Sequence, residues 1–543
     1  MDFTYDIDNF RLSFEHEMTW LNGFLRNTTR YGKKNAMVYS NTGQSWTYAE
    51  LNRDANKLAN AFLDDGIKKN DVIMHMLFNS PEFIFCYLAG HKTGAINCPI
   101  NYRLAPGELA LLLEDSKPEF FVYDNFFADT VREALKISNF RPKRLLYVDS
   151  GGKIAPSSIL FSEYVKNGST DNPAFNVLPH IYDETTRLYT SGTTNKAKAV
   201  PINSINELFS AHDVIMHYPL TPEDRTLNLT PWFHRGGIHI GGPTATLYVG
   251  GEVVIMKEFN PKMTLEVIKK YKVNFITGVP SIFQLLARAQ KSSPLDVSSL
   301  KGLCSMGSPF SKAELLEYRG LFTPNILNGY GTTETFVNVY MRPYSPIEKC
   351  SATGQSCVDD EVRIVKAIAD GFGDPDDLVP KNNRDIGEII IKAPHKSTGC
   401  YVNNPEMTNK KFYKNFHYTG DIGIWDEDGF ITVLSRKDDM IISASENIYP
   451  AQIEAALNEH PKVAESAVIG VPDKLHGQRV SAYIVPLDDS LTIEDLKEWC
   501  IRHPMLPTYK HPKIYTFVDA LPHTATGKLM HYKLRESAAG GKA

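Results

Sequence analysis

The sequence has no excess of positive charge and no long apolar run. Its 58 Lys and Arg residues stand against 63 Asp and Glu residues, which gives a formal net charge of −5. Binding through nucleic-acid phosphates needs an excess of cationic groups, so we exclude a dedicated nucleic-acid partner. Its longest apolar stretches, such as residues 83–90, fall well short of the roughly 20 residues that cross a bilayer. We therefore expect no membrane span.

The sequence contains few cysteines, and their spacing shows no paired motif. The 7 cysteines include no Cys-x-x-Cys pair, which is typical of reduced thiols and excludes disulfide scaffolds and zinc ribbons. His234 and His239 are five positions apart, so they do not form the i, i+4 face of a zinc-binding helix. Residues 1–20 carry acidic groups and lack the basic start and apolar core of a secretory signal. We expect a cytoplasmic protein without a structural or catalytic transition metal.

Alternating strand and helix signals run through most of the 543 residues. Thr47 and Glu50 form a capping box before an apolar helical stripe that ends at Gly66. A buried strand is expected at 71–78, and Ser80-Pro81 begins the next helix. The same alternation continues to about residue 277. It predicts an α/β fold with parallel sheets covered by helices.

The pattern changes after Arg436. Short strand-like segments alternate with two helices, and about one hundred residues are enough for a separate α+β domain. The polar run 435–439 is either the joint before this domain or an ordinary surface loop, since polar loops are common.

The segment from Thr190 to Lys198 is rich in hydroxyl and glycine residues and follows a strand-like run. Backbone N–H groups and hydroxyls in such a loop can surround a polyphosphate, and a lysine adds a point charge. The Walker pattern is absent, and on composition alone a Ser/Thr-rich loop is more often a solvated turn. The candidate phosphate-binding residues are Thr190, Ser191, Gly192, Thr193, Thr194 and Lys198.

This loop resembles the phosphate loop of the adenylate-forming superfamily, which includes acyl-CoA synthetases, firefly luciferase and the adenylation domains of peptide synthetases. Further segments are similar to motifs of that superfamily, in the same order: Asn328 to Glu334, Thr419-Gly420-Asp421, Arg436, and Pro522 to Lys528. Any one motif is weak, but five in register are specific. The stretch after Glu334 looks closest to benzoate-type and chlorobenzoate-type CoA ligases.

The resemblance implies an AMP-forming carboxylate–CoA ligase that uses ATP, Mg²⁺ and coenzyme A. In such enzymes a carboxylate reacts with ATP to give acyl-AMP and pyrophosphate, and a thiol then expels AMP. The implied architecture is an α/β N-terminal domain at 1–435 with packed sheets and a β-barrel-like subdomain. A hinge at 436–438, centred on Asp438, joins it to a small mobile α+β domain at 439–543.

The resemblance also implies roles for individual residues. Charge builds up on the α-phosphate in the transition state, so cations must converge there. Lys528 is the implied adenylating residue, with Glu334 (also the Mg²⁺ ligand), Thr190 and His234 completing the implied catalytic set. The further implied nucleotide contacts are Gly307, Ser308, Pro309, Asn328, Gly329, Tyr330, Gly331, Thr332, Thr333, Asp421 and Arg436.

The segment 231–237 resembles the family's Phe-His-x-x-Gly motif, which borders the acyl pocket. A lone histidine beside aromatic residues is more often packed than catalytic, and the resemblance implies a lining or gating role for it. The implied pocket residues are His234, Gly236, Gly307, Gly329, Phe336 and Asn338. Glycines at a pocket wall leave space for a ring, so we expect an aromatic, alicyclic or medium-chain acid.

Two departures from the family pattern bear on function. Asn195, Ala197 and Ala199 replace Gly, Pro and Gly in the phosphate loop, which predicts a stiffer loop. Ala444 and Ser445, next to Glu446, replace a glycine pair that lines the coenzyme A tunnel in relatives, which predicts a narrower tunnel. One added methyl group can be accommodated by a small backbone shift.

Two alternatives follow from these departures. The enzyme could pass its acyl group to the phosphopantetheine of a carrier protein, or work in the ATP-forming direction from acyl-CoA. A nucleotide-binding regulator without turnover is a second alternative, but such a protein has no chemical need for Lys528. The expected partners are a small carboxylic acid, ATP and coenzyme A, and the oligomeric state is left open between monomer and homodimer.

Overall fold

The computed structural model describes residues 6–174, 178–190, 197–307, 310–368, 371–443, 446–473, 476–503, 506–523 and 529–539, with backbone alone at 438, 442, 446, 447 and 539. The chain divides into two compact units. The first consists of Met1–Ser351, Cys357–Asp360 and Lys392–Asn415, and the second of Ala352–Ser356, Glu361–Ile391 and Phe416–Ala543. These units are defined by compactness alone, so the domain limits at 435 and 439 stay a prediction.

Helices are distributed along the whole chain. The α-helices are α1 (Ile7–Glu17), α2 (Trp20–Arg30), α3 (Tyr48–Asp64), α4 (Pro81–Thr93), α5 (Pro106–Ser116), α6 (Ala128–Ile137), α7 (Phe161–Tyr164), α8 (Ser204–His217), α9 (Arg235–His239), α10 (Pro243–Val249), α11 (Pro261–Tyr271), α12 (Pro280–Ser292), α13 (Lys312–Leu321), α14 (Pro405–Asn409), α15 (Pro450–Asn458), α16 (Ile493–Arg502) and α17 (His531–Ala539). Short 3-10 helices lie at Asn125–Phe127, Ile347–Lys349, Lys437–Asp439 and Thr508–Lys510.

Strands alternate with these helices in most of the chain. They are β1 (Asn35–Tyr39), β2 (Gln44–Thr47), β3 (Val72–Met76), β4 (Ile96–Pro99), β5 (Phe120–Asp124), β6 (Arg144–Val148), β7 (Ser158–Leu160), β8 (Glu184–Thr190), β9 (Lys198–Asn203), β10 (Arg225–Asn228), β11 (Glu252–Ile255), β12 (Phe275–Gly278), β13 (Gly302–Met306), β14 (Ile326–Thr332), β15 (Phe336–Met341), β16 (Gln355–Ser356), β17 (Glu361–Val365), β18 (Gly387–Lys392), β19 (Phe412–Tyr413), β20 (Phe416–Trp425), β21 (Ile431–Arg436), β22 (Ile441–Ser443), β23 (Glu446–Ile448), β24 (Val463–Asp473), β25 (Gly477–Pro486) and β26 (Ile514–Phe517).

Two largely parallel sheets form the first unit. One has the strand order β7-β6-β5-β3-β4-β8-β9, in which only β8 and β9 pair antiparallel. The other runs β15-β14-β13-β12-β10-β11-β1-β2 within this unit, with antiparallel pairs at β14–β15 and β1–β2. In each sheet, an antiparallel hairpin at one edge carries a predicted motif. The hairpin β8–β9 carries the ends of the predicted phosphate loop, and the hairpin β14–β15 carries Glu334. The predicted parallel sheets are confirmed.

Local sequence signals explain why these elements form where they do. The capping box of Thr47 and Glu50 is present at the start of α3, as predicted. Ser80 caps α4 by accepting a hydrogen bond from the Phe83 amide, with Pro81 at the first helical position. Helix α4 is buried from Phe83 to Thr93 because apolar residues surround its axis. It therefore lies in the core of the first unit, where it packs against α3.

The second unit contains two sheets. Strands β17-β18-β20, with β21 paired to β20, form a curled, half-barrel sheet. The other sheet has the order β23-β22-β25-β24, with β26 parallel to β25, and packs against α15 and α17. This second sheet and its helices match the α+β composition predicted after Arg436. Among the helices that the structure describes, none combines the length and apolarity that a membrane crossing requires.

Candidate active site

The predicted phosphate loop lies at the tip of a hairpin. Thr190 is the last residue of β8, Lys198 is the first residue of β9, and the two are paired across the ladder. The buried middle of β8 anchors the hairpin in its sheet. Thr190 and Lys198 are both half-buried at the base of the loop. The predicted contacts Ser191, Gly192, Thr193 and Thr194 lie outside the described residues.

Glu334 lies in the turn of a second hairpin. Strand β14 ends at Thr332 and β15 begins at Phe336, and these two residues are paired, so only three residues form the turn. The Thr335 amide donates to Oγ1 of Thr332 at 3.2 Å, and the Thr335 hydroxyl donates to Oδ1 of Asn338 at 2.6 Å. Such side-chain bonds satisfy turn polar groups locally. They hold the half-buried Glu334 in a defined place.

Tyr401 connects the two hairpins. Its hydroxyl donates to Oε1 of Glu334 at 2.7 Å, and the Lys198 ammonium lies 5.7 Å from the centroid of its ring. The amide of Val402 donates to the carbonyl of Ala199 at 2.9 Å, which fixes this segment against β9. The structure thus brings Lys198 and Glu334 together around Tyr401. We refer to Lys198, Glu334 and Tyr401 as the Glu334 centre.

Tyr401 is absent from the residues predicted on the sequence. It lies 67 positions from Glu334, so no local spacing connects the two. Arg235 is absent as well, although it lies in the His234 segment. Its buried guanidinium donates to the main-chain carbonyls of Thr333 and Lys396, both at 2.6 Å. The one sequence signal for Arg235 is that it lies in the same segment as His234, which is predicted to line the pocket.

His234 caps the short helix α9 and packs against Phe233, with 4.2 Å between the ring centroids. Burial, assisted by the positive charge of Arg103, lowers the pKa of His234 to about 4. The imidazole is therefore neutral near pH 7. Within the described part of the chain its Nε2 is buried and has no hydrogen-bond partner. A neutral ring of this kind is suited to lining an apolar pocket.

The glycines predicted at the acyl pocket differ in their surroundings. Gly307 has a φ of +112°, and among the described residues no heavy atom lies within 4 Å of the position that a Cβ would take. At Gly329 a Cβ would lie 2.6 Å from Sδ of Met306, and at Gly236 it would lie 3.7 Å from Cδ1 of Ile240. Of these three glycines, Gly307 is therefore the one with free space beside it in the part of the chain that the structure describes. Ser308 and Pro309 lie outside the described residues.

Phe336 and Asn338, also predicted at the pocket, are enclosed by protein groups. Phe336 is 2% exposed, with the Arg235 guanidinium 5.3 Å from its ring centroid, and its φ of +66° is unusual for a bulky residue. Asn338 is fully buried and donates to Oδ2 of Asp360 at 2.8 Å. Strained backbone of this kind is often found at functional sites. Both residues hold the strand that directly follows Glu334.

A buried charge cluster lies against β15. The Lys396 ammonium donates to the carbonyl of Val337 at 2.6 Å and to Oδ2 of Asp360 at 2.7 Å, and lies 3.4 Å from Oδ1 of Asp213. Asp213 also groups with His217 and Cys357 at distances that could suit a metal ion. Because the Lys396 ammonium already pairs with both carboxylates, we interpret this cluster as an internal ion network rather than a cation site.

In the second unit, the two predicted ribose contacts lie side by side. Asp421 and Arg436 are paired across β20 and β21, and Nη1 of Arg436 donates to Oδ1 of Asp421 at 2.9 Å. The next residue, Lys437, forms an ion pair with Glu388 at 3.0 Å. The backbone of residue 438 lies in a 3-10 helix. Ala444, Ser445 and Lys528, and the side chain of Glu446, lie outside the described part, so nothing tests their predicted roles.

Both parts of the chain match models of one protein family. Residues 24–401 match the model described as AMP-binding enzyme, and residues 452–528 match the model of the AMP-binding enzyme C-terminal domain. The chain belongs to the AMP-binding enzyme family. The resemblance inferred from the five motifs is therefore confirmed.

Its relatives include several CoA ligases. The 2-succinylbenzoate–CoA ligase of Geobacillus sp. (strain WCH70) is 31% identical, over 92% of this chain and 94% of the relative. Feruloyl-CoA synthase of Amycolatopsis sp. is also 31% identical, over 91% of this chain and 94% of the relative. The predicted enzyme class, an AMP-forming carboxylate–CoA ligase, is confirmed.

Solved structures agree with this assignment. The o-succinylbenzoate coenzyme A synthetase of Bacillus subtilis, in complex with ATP and magnesium ion, is 27% identical with a TM-score of 0.81 and covers 95% of this chain and 99% of that one. An anthranilate CoA ligase in complex with anthranoyl-AMP has a TM-score of 0.85 at 23% identity, over 96% of this chain and 98% of that one, which supports the fold alone. The predicted fold class is confirmed, as is the use of ATP, Mg²⁺ and coenzyme A.

Proposed function

We propose that this ligase activates an aromatic carboxylic acid, with adenylation taking place at the Glu334 centre. The observation that carries the proposal is the contact of Tyr401 with both Glu334 and Lys198. It joins the end of a candidate phosphate loop to a carboxylate held in a tight turn. A cation near the ring and a carboxylate at the hydroxyl of one tyrosine suit a polyphosphate that carries a divalent metal ion.

The chain's own groups would divide the work of nucleotide binding. Lys198, at the base of the hairpin loop, would attract the phosphates as a point charge. Glu334 would hold Mg²⁺, since hard divalent cations prefer carboxylate oxygens, and its hydrogen bond from Tyr401 orients the carboxylate for this. When bound, the metal ion neutralises charge on the phosphates. Asp421 and Arg436, which lie next to each other in the second unit, would bind the ribose.

The proposed reaction has two steps. A carboxylate oxygen of the acid attacks the α-phosphorus of ATP, and the bond to the bridging oxygen breaks so that pyrophosphate leaves with the electron pair. Lys528 would stabilise the negative charge of this transition state. In the second step the coenzyme A thiol, after losing its proton, attacks the acyl carbonyl carbon, and AMP leaves. The products are a thioester, AMP and pyrophosphate.

Two observations support an aromatic acid within the wider range of aromatic, alicyclic and medium-chain acids. His234 is a neutral ring packed at a tilt against Phe233, which suits an aromatic ligand, and among the described residues no heavy atom fills the space beside Gly307. Relatives named for their acids include ligases of 2-succinylbenzoate, ferulate and indoleacetate. Alicyclic and medium-chain acids belong in the same test.

The acceptor and the direction of the reaction are part of the proposal. We propose coenzyme A as acceptor, with Ala444 and Ser445 narrowing the path of its pantetheine arm. The same site would serve ATP formation from acyl-CoA, because an enzyme does not alter the equilibrium. The cytoplasmic location and the oligomeric state, monomer or homodimer, stay predictions from the sequence.

Pyrophosphate exchange with a panel of acids tests the proposal. Benzoate, 4-chlorobenzoate, ferulate, indoleacetate, cyclohexanecarboxylate and octanoate would each be incubated with the enzyme, ATP, Mg²⁺ and labelled pyrophosphate, and AMP release would be measured with and without coenzyme A. We expect fastest exchange with an aromatic acid and AMP release that depends on coenzyme A. Exchange without such release would favour a carrier-protein acceptor. Absence of exchange with every acid would overturn the proposed substrate class.

A further inference from the structure

Arg235 is a buried cation whose two shortest hydrogen bonds go to the main chain. The residue is 3% exposed. Buried arginines usually pair with a carboxylate, but here Nη1 donates to the Thr333 carbonyl and Nη2 to the Lys396 carbonyl, each at 2.6 Å. Ser210 offers Oγ at 3.4 Å from Nη2. The guanidinium therefore holds two separate segments of backbone.

These two segments both determine where the Glu334 carboxylate lies. Thr333 directly precedes Glu334 in the turn between β14 and β15. Lys396 lies five residues before Tyr401. The hydroxyl of Tyr401 donates to Oε1 of Glu334 at 2.7 Å. One guanidinium thus fixes the peptide before the carboxylate and the segment that carries its hydrogen-bond donor.

The chemistry of arginine explains why this residue suits the position. A guanidinium is planar and presents several N–H groups in a fixed fork, so one side chain can bridge two carbonyls, whereas a lysine ammonium lacks this planar fork. The ring of Phe336 packs against the guanidinium, with 5.3 Å to its centroid. Burial lowers the pKa of Arg235 to about 10, opposed by the negative charges of Glu207 and Glu334. Arg235 therefore stays protonated at neutral pH.

We propose that Arg235 is a positioning residue for adenylation, which holds Glu334 in the geometry that binds Mg²⁺ together with ATP. It would act through the backbone at Thr333 and Lys396 and not by touching the substrate. The inference rests on the proposed role of Glu334. A misplacement of about 1 Å at a reacting centre can cost a factor of about 10². Thioester formation from preformed acyl-AMP does not use the β and γ phosphates or their metal ion, so it should be spared.

Calorimetry tests whether Arg235 affects the Mg²⁺-dependent part of ATP binding, with no carboxylic acid substrate present. ATP would be titrated into the enzyme with excess Mg²⁺ and again with EDTA, and the ratio of the two dissociation constants would be compared. In wild-type protein we expect Mg²⁺ to tighten ATP binding. Arg235→Lys and Arg235→Gln should each reduce this enhancement about tenfold or more. Arg319→Lys is the matched control, because Arg319 also donates to a main-chain carbonyl, that of Pro343, and it should leave the ratio unchanged.

The two half-reactions supply the second readout. Pyrophosphate exchange with the acid that gives the fastest exchange in the panel should fall about 10²-fold in both Arg235 variants. Release of AMP from the corresponding synthetic acyl-AMP on adding coenzyme A should stay within about threefold of wild type. Equal losses in both half-reactions, with an unchanged Mg²⁺ enhancement, would mean that Arg235 is only structural and would overturn the proposal.

A double-mutant cycle guards against poor folding of the Arg235 variants. Tyr401→Phe removes only the hydroxyl that binds Glu334 and should lower the Mg²⁺ enhancement in the same direction. If Arg235 and Tyr401 act on one carboxylate, their effects on the enhancement are less than additive. Additive effects would contradict the proposal. Glu334→Gln distinguishes failure of the proposed role of Glu334 from failure of the proposal about Arg235. If Glu334→Gln leaves the Mg²⁺ enhancement at the wild-type value, the proposed role of Glu334 fails, irrespective of Arg235.

Discussion

His239 and Glu207 form a buried pair, with Nε2 of His239 2.5 Å from Oε2 of Glu207 and neither side chain exposed. Oε1 of Glu207 accepts hydrogen bonds from the hydroxyls of Tyr87 and Thr186, both at 2.7 Å. The second ring nitrogen of His239 contacts the carbonyl of Arg235 at 3.1 Å. The pair therefore links β8, helix α8 and the His234 segment within the core of the first unit.

Replacing Glu207 with Gln should destabilise the protein. The substitution alters one partner of a fully buried pair, and breaking such a pair costs about 3–5 kcal/mol. Urea unfolding at pH 7, followed by circular dichroism, measures the loss. Glu252→Gln, which alters an ion pair with the partly exposed Arg225, should cost less. Equal losses in the two variants would contradict the importance of the buried pair.

The same pair predicts how stability depends on pH. Burial alone would raise the pKa of Glu207, but the charge and hydrogen bond of His239 lower it from 4.5 to about 2. A carboxyl with a depressed folded-state pKa contributes stability above its unfolded pKa and loses it as pH falls. The Glu207 contribution should therefore be complete above about pH 5 and disappear between about pH 4.5 and 2. In this pH range the free energy of unfolding of Glu207→Gln should depend less steeply on pH than that of wild type.

Tyr401→Phe should slow adenylation while leaving the fold intact. The ring and its packing beside Lys198 remain, and the hydrogen bond to Oε1 of Glu334 is lost. A hydrogen bond to a charged group contributes about 1.5–3 kcal/mol, so pyrophosphate exchange should fall about 10- to 100-fold. Tyr413→Phe, at an exposed position, is the control and should match wild type. Unaltered exchange in Tyr401→Phe would show that the bond does not orient the carboxylate for catalysis.

Lys528→Ala should abolish adenylation and leave thioester formation from preformed acyl-AMP largely intact. The reason is that the resemblance assigns this lysine to the charge that develops when pyrophosphate leaves. Pyrophosphate exchange measures the first step, and coenzyme A-dependent AMP release from synthetic acyl-AMP measures the second. Lys533→Ala, an exposed lysine nearby in sequence, should change neither. A parallel loss of both steps would argue against a role confined to adenylation.

His234 should not titrate in the physiological range. Because burial and the charge of Arg103 lower the pKa of His234 to about 4, its ring should be neutral from about pH 5 upward. NMR of the imidazole resonances against pH checks this directly, with wild type compared to His234→Phe to assign the signal. The pH profile of adenylation should then keep its shape in His234→Phe, with the loss appearing mainly in KM for the acid. An inflection near pH 6.5 that disappears in His234→Phe would contradict a neutral lining role.

Local signals predicted much of the fold. The helix after Thr47 and the helix that begins at Pro81 both start with the caps that the sequence displays. These features depend on residues three or four positions apart, so they can be identified without knowledge of the tertiary structure. The motifs likewise sufficed to assign the family, because each is a short run of specific residues in a fixed order.

The surroundings of the candidate site could not be predicted in this way. The motif places Phe336 and Asn338 at the acyl pocket, which stays a prediction, but it does not show that Phe336 packs against the guanidinium of Arg235 or that Asn338 binds the carboxylate of Asp360. These contacts depend on which segments pack against β15. Such packing leaves no periodic mark in the sequence.

The sequence by itself determined the family, the enzyme class and the capped helices, because those rest on neighbouring residues and ordered motifs. Only the tertiary structure decided that Tyr401 binds Glu334, that Arg235 holds the carbonyls of Thr333 and Lys396, and that His239 pairs with Glu207. The partners in these bonds lie 67, 98, 161 and 32 positions apart. Hydrogen bonds and ion pairs act over a few ångströms, so they form only after the sheets and helices have brought distant segments together.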